Sequence, residues 1–460
     1  MKKVNIVLLL VIFSTFTSFP IVPASSAPKK YVLELHATWN ADMVNTELVN
    51  KTGDGVYIAV LDTGLTPNWK DFFPQQRIAT KLGKGFFQPI HIDRHTGNPV
   101  CLDTIVESSW VGSLEDTHGT MVASVILGFN YHAPTDDYEF TFGESFPLPP
   151  LFVEGIAPDA TIIPIKVIKT YHLAPYTGPG TDYPYGMTFG TDPAIASGIY
   201  YATELKLEGY SPMIISMSFG GSTPSPIIEE AIEYAIDEGV IVIASAGNEG
   251  TNGMGWPGAY PEVISVGACG WQYEWIDPYY GYPFYRLWWL QDNPYGYLDV
   301  TDPSVTNEIY ITYWSSREKA EQQLDVVAPG SWIRGPFTWS QGYNHISWWA
   351  KGKPPWTHIE GILKSKNFLY VGGTSFATPH VSGIAAMMLE KNSALTQADI
   401  EDILKTTAVP LSAGSMTVFD LYNWVKGEFS PGFYEYNWEG DATGAGLVQA
   451  DAALAATPDE

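Results

Sequence analysis

Three stretches of the chain carry residue types that together could activate a hydroxyl. Gly373-Thr374-Ser375 leads through Phe376-Ala377-Thr378-Pro379-His380-Val381-Ser382-Gly383 into the apolar run 384–389. A serine therefore stands in the first turn of what reads as a long apolar helix. Unpaired backbone N–H groups and the helix dipole favour negative charge there, which is what an oxyanion needs when a nucleophile attacks a carbonyl. Plain capping also explains a Ser or Thr at a helix start. Upstream, the near-continuous apolar run 55–61 ends in Asp62, followed by Thr63-Gly64, and Asp116-Thr117-His118-Gly119-Thr120 opens a second apolar helix. A carboxylate, an imidazole and a hydroxyl are the parts of a general base that is oriented by an anion and acts on a nucleophile.

The elements that must position these groups follow from periodicity. The run ending in Asp62 reads as a parallel strand buried on both faces, and its carboxyl end is where open α/β sheets place their sites. Strand patterns recur at 161–168, 213–221 and 241–245. Helical spacing at Ile195, Ile199, Ala202 and Leu205 predicts a helix over 192–208, and another is predicted over 225–238. Alternating strands and helices imply a mainly parallel sheet. Thr396-Gln397-Ala398-Asp399 has the form of a capping box opening a helix to about 407.

The chain order Asp62, His118, Ser375 is that of subtilisin, and all three stretches resemble the subtilisin-like serine proteases. Ser245-Ala246-Gly247-Asn248-Glu249-Gly250 is similar to that family's oxyanion segment, and Met213 to Gly221 to its substrate-binding strand. The resemblance implies a three-layer α/β/α fold and a secreted endopeptidase that works through an acyl-enzyme. It implies Asp62, His118 and Ser375 as catalytic residues, Asn248 as oxyanion donor, and Ser218, Phe219, Gly220, Ala246 and Gly247 as substrate-binding residues. The substrates would be proteins or peptides, and no cofactor would be needed for the chemistry. Asp71 matches an aspartate that ligates calcium in some relatives, so a structural calcium is an expectation there. The other ligands would come from the loop after the His118 helix, where this chain carries the unrelated 129–150. Met121 stands where many relatives have a second histidine, and fewer residues separate Ala27 from Asp62 than the usual propeptide of relatives needs. The resemblance is interrupted near 81–115, 130–150, 171–190, 271–310, 334–366 and 411–440, which read as long loop insertions.

Rival chemistries fit less well. An α/β-hydrolase needs Gly-x-Ser-x-Gly and the order Ser, Asp, His, and an aspartic protease needs two active carboxylates where this chain has one Asp-Thr-Gly. The acid-active serine-carboxyl proteases carry Glu where His118 stands and Asp where Asn248 stands. A catalytically silent binding or scaffold protein on the same fold is the alternative of a different class.

Composition bounds the partners. The 460 residues hold 24 basic and 50 acidic side chains, a net charge of −26, which disfavours nucleic acid and anionic membranes. The same balance suits work at low pH, where neutral carboxylates would repel one another less. Met1-Lys2-Lys3, the mostly apolar 4–17 and Pro23-Ala24-Ser25-Ser26-Ala27 read as a signal peptide over 1–27. A single peptidase domain over 28–460 would follow, exported and without stable membrane insertion after cleavage. In an oxidising compartment Cys101 and Cys269 could form a disulfide, and their spacing does not decide it. The aromatic-rich insertion 271–310, including Trp271, Tyr273, Trp275 and Trp288, either packs a small core of its own or lines a cleft. The first reading is favoured because aromatic rings bury large areas.

Overall fold

Residues Val56, Ile58, Ala59, Val60 and Leu61 are all buried, and the strand they build, Tyr57–Asp62 (β1), has a parallel neighbour on each side. A strand without a polar face can sit only in the middle of a covered sheet. The computed structural model describes residues 35–36, 38–92, 99–114, 116–131, 151–171, 187–274, 300, 306–336, 368–423, 425–426 and 428–460. Among these, the other strands of the central sheet are Lys84–Phe87 (β2), Val106–Ser108 (β3), Thr161–Lys166 (β4), Met213–Met217 (β5), Ile241–Ser245 (β6), Ile264–Trp271 (β7), Ile309–Ile311 (β8) and Val326–Pro329 (β9). Their order is β8-β7-β6-β5-β1-β4-β2-β3, with β9 pairing β7 in parallel. The pairings of β7 with β8 and of β2 with β3 are antiparallel, so the sheet is parallel at its centre and antiparallel at its edges.

Helices cover both faces. His118–Leu127 (α1) and Thr374–Lys391 (α4) share one apolar cluster with Ile58, Val60 and Ile243. Asp192–Leu207 (α2) and Pro226–Asp237 (α3) share the other with Ala59, Leu61 and Val242. Alternate residues of β1 thus point to opposite helix layers, giving the expected three-layer α/β/α arrangement. Gln397–Thr407 (α5) begins with the predicted box, the Asp399 N–H donating to Thr396 Oγ1 and the Thr396 N–H to Asp399 Oδ2.

Two segments read as loops carry regular structure. Within 81–115, β2 and β3 extend the central sheet. Within 411–440, Gly414–Asn423 and Glu428–Trp438 pair as an antiparallel hairpin. It docks through Tyr436, whose ring lies 5.7 Å from that of Tyr310 on β8. Both cysteines are free. Cys269 is buried within β7, where burial pushes its thiol far up, and Cys101 is exposed. Trp271 is buried and stacks on Trp39, the ring centres 6.5 Å apart. Trp275 and Trp288, the expected signal peptide 1–27 and most of 130–150, 171–190 and 334–366 lie outside the described residues.

The whole of α4 from Thr374 to Leu389 is buried. Gly383 permits its approach to the segment before β4, since a Cβ there would meet Ile156 at 2.6 Å. His380 lies on this helix with no exposed surface. Its Nδ1–H donates to the Phe376 carbonyl at 2.8 Å, so Nε2 accepts from Asn40 Nδ2 at 2.9 Å. Asn40 belongs to the short helix Trp39–Asp42, and the imidazole thereby ties the N-terminal segment to the central helix.

Burial lowers the His380 pKa to about 4 from 6.5. Between these values the unfolded chain binds a proton that the folded chain does not. The stabilisation is therefore complete above pH 6.5 and is lost as pH falls towards 4, by about 3 kcal/mol. His380→Gln keeps a donor and an acceptor but does not titrate. Urea unfolding at pH 7 and pH 4 is expected to show wild type losing about 3 kcal/mol more than this variant. Parallel losses in the two proteins would refute the assignment.

Candidate active site

Asp62 ends β1 with no exposed surface. Its carboxylate accepts the Thr63 N–H at 2.7 Å and sits 2.9 Å from His118 Nδ1 through each oxygen. An ionised carboxylate only accepts, so Nδ1 carries the proton and Nε2 is left as the basic nitrogen. His118 is the first residue of α1 and its side chain is 13% exposed. The helix start is fixed by Thr63, whose hydroxyl donates to the Asp116 carbonyl and accepts the Gly119 N–H, both at 3.0 Å. Glycine is required at 119, where a Cβ would lie 2.4 Å from the Gly64 carbonyl oxygen.

Ser375 is the second residue of α4. Pro379 lies four residues further on and has no N–H to offer the Ser375 carbonyl. Ser218, just beyond β5, fills that gap by donating its hydroxyl at 2.8 Å, and Ser375 Oγ donates in return to the Ser218 carbonyl at 2.9 Å. The reciprocal pair joins the nucleophile candidate to the expected substrate strand. The Phe376 ring lies 5.5 Å from the His118 ring and packs the two helix starts together.

Asn248 follows β6. Its Oδ1 accepts the Thr374 N–H at 2.9 Å and the Thr374 hydroxyl at 3.1 Å. A backbone N–H can only donate, so the amide must turn its oxygen to Thr374 and hold its Nδ2 hydrogens away from it. Thr374 Oγ1 also accepts the Gly247 N–H at 3.2 Å, and Gly247 needs its glycine at φ +102°. Thr374 and the Ser218 side chain escaped the sequence reading in these orienting roles, although Thr374 directly precedes Ser375 and Pro379 announces a carbonyl in need of a donor.

The five expected substrate-binding residues divide by exposure. Gly220 is exposed, Phe219 is half-buried with its carbonyl accepting from Ser245 Oγ at 3.2 Å, and Ser218 is buried. Ala246 is buried with both backbone groups used inside the protein, to Val266 and Gly255, and the Gly247 carbonyl accepts the Ser316 N–H. These two form a wall, and the accessible edge is 219–220. Asp71 is exposed at the end of the single turn Trp69–Asp71. Among the described residues no three His, Cys, Asp or Glu side chains converge as a metal site. Most of the loop expected to complete a calcium site, 132–150, lies outside them.

This geometry can be set beside known proteins. The model of the subtilase family matches residues 53–425. Subtilisin E of Bacillus subtilis (strain 168) is 24% identical over 364 residues, which cover 78% of this chain and 62% of that protein. The subtilisin of Bacillus pumilus is 24% identical over 366 residues, covering 79% of this chain and 86% of that protein. The chain thus spans less than two thirds of the length of Subtilisin E. Among solved structures, the S41 psychrophilic protease aligns with a TM-score of 0.50 at 21% identity, over 91% of this chain and 99% of that one. Fervidolysin from Fervidobacterium pennivorans, a keratinolytic enzyme related to subtilisin, aligns with a TM-score of 0.50 at 21% identity, over 92% of this chain and 46% of that one. These structures share the fold. With the family match spanning residues 53–425 and so all four site segments, the chain belongs to the subtilase family.

Proposed function

We propose that the protein is a secreted serine endopeptidase that cleaves protein or peptide substrates through an acyl-enzyme, with Asp62, His118 and Ser375 as its triad. The observation that carries this reading is the Asp62–His118 pair, 2.9 Å through each oxygen, beside a serine hydroxyl at the amino end of α4. Extended peptide would run along 218–220 as an added strand. A substrate N–H offered to the Ser218 carbonyl would displace the Ser375 hydroxyl from it and free that hydroxyl for His118 Nε2. The imidazole then takes the proton as Ser375 Oγ bonds to the scissile carbonyl carbon, and Asp62 stabilises the imidazolium. The oxyanion is met by Asn248 Nδ2 and by the Ser375 N–H, one of the orphan donors of the helix start. His118 returns the proton to the leaving amine, and water repeats the sequence to release the acyl group.

The intact His118 and Asn248 favour this mechanism over serine-carboxyl chemistry, and their bonding favours catalysis over a silent scaffold. The buried, neutral His380 weighs against a protein built for strongly acid conditions. Export is supported by the leader-like 1–27, and among the described residues no helix is long and apolar enough to cross a membrane. A structural calcium involving Asp71 is a separate proposal, needing oxygen ligands from other segments.

Two measurements test the reading. Incubation with a fluorophosphonate, followed by peptide mapping, is expected to find stoichiometric modification of Ser375 in wild type and none in His118→Ala. A folded wild type that stays unlabelled from acid to mildly alkaline pH would move the scaffold reading ahead. Asn248→Ala is expected to lower kcat by about 10²–10³ with little change in KM, the loss measured for such a donor in subtilisin. An unchanged kcat would remove Asn248 from the oxyanion role.

A further inference from the structure

Two residues before His118 stands a second carboxylate, Asp116, paired with a half-buried cation. Asp116 and Lys166 pair at 3.2 Å, their side chains 4% and 13% exposed. Asp116 Oδ2 also accepts the Ser113 N–H at 3.2 Å, and Oδ1 accepts Thr170 Oγ1 at 2.7 Å. The carboxylate is thus held from three sides by the loop before α1, by β4 and by the short strand Lys169–Tyr171. Lys166 ends β4 as the direct register partner of Asp62 on β1. Register partners in a parallel pair point to the same face, and the alternation of Val60 with Leu61 puts Asp62 on the α1 and α4 side. The lysine therefore stands on the same face as the catalytic carboxylate, one strand away, and its chain is long enough to reach it.

We propose, resting on the triad reading above, that Asp116 is a positioning residue that holds Lys166 off Asp62 and so reserves the Asp62 carboxylate for His118. Without Asp116, Lys166 is a half-buried cation lacking its partner, and Asp62, its register partner, is the anion within its reach. A lysine bound to Asp62 competes for the oxygens that orient Nδ1–H and opposes protonation of the imidazole, because like charges disfavour the second charge. The groups around this imidazole that bear on its titration are Asp62 from β1, Lys166 from β4 and Asp116 from its own loop. The serine helix packed against it presents the uncharged Phe376.

The test is the pH dependence of kcat/KM on a peptide substrate for wild type, Asp116→Asn and the double variant Asp116→Asn/Lys166→Met. The single variant is expected to lower the acid-limb pKa by about one unit and the plateau by roughly tenfold. The double variant is expected to return both to wild-type values although Asp116 is still missing. A folded single variant with the wild-type limb overturns the proposal. So does a double variant that keeps the defect, which would make Asp116 a structural support acting independently of Lys166. If the single variant does not fold, the double variant decides: Asp116 must be dispensable once Lys166 is gone. A wild type that neither labels at Ser375 nor cleaves peptide overturns the triad reading itself, a distinct result.

Discussion

The constraint on which the rest depends is the burial of α4 from Thr374 to Leu389. A helix with no wet face must satisfy every polar group it carries from within the protein. Its serines, threonines and histidine accordingly all have partners. Thr374 meets Asn248, Ser375 meets Ser218, Thr378 turns back to the Thr374 carbonyl, Ser382 reaches Ser216, and His380 takes Asn40. All but the Thr378 bond tie the helix to other segments: the chain after β6, β5 and its end, and the short helix Trp39–Asp42. The outcome is a helix start held at the carboxyl end of the sheet.

That anchoring explains why so few atoms define the candidate site. Asp62 is placed by β1, which parallel neighbours hold on both sides. His118 is placed by the approach of α1 to Gly64, which the missing Cβ of Gly119 permits. Asn248 is oriented by Thr374, the residue directly before Ser375 on the same helix. The Ser375–Ser218 pair adds a link of another kind. It couples the hydroxyl to the carbonyl that an added peptide strand would claim, so occupation of that strand and release of the hydroxyl become one event. Lys166, the register partner of Asp62, is engaged by Asp116 at 3.2 Å.

Much of this was legible before any coordinates. The strand ending in Asp62 and the helices of 192–207 and 226–237 followed from apolar runs and spacing, because burial on two faces or one stripe leaves a local pattern. The hairpin of 414–438 did not. Its pairing joins residues up to twenty-four positions apart and its sequence carries Pro431 and Gly432, which read as loop. The extension of the sheet by β2 and β3 was hidden for a related reason, since Val106–Ser108 is exposed and shows no buried alternation. The cysteines could have paired by type and compartment; only their places, one in a central strand and one on an exposed edge, decided that they do not.

The sequence by itself determined the family, the order of the triad candidates and the alternation that forces a parallel sheet, because these are properties of residue type and short-range spacing. The tertiary structure alone decided which side chains orient which. Thr374 fixing the Asn248 amide, Ser218 completing the carbonyl that Pro379 leaves bare, Asn40 holding His380 across 340 residues and Asp116 pairing with Lys166 are all contacts between distant segments. Such contacts exist only once the layers have closed and excluded water. Only then does a hydrogen bond left unmade cost enough to select one partner over the others.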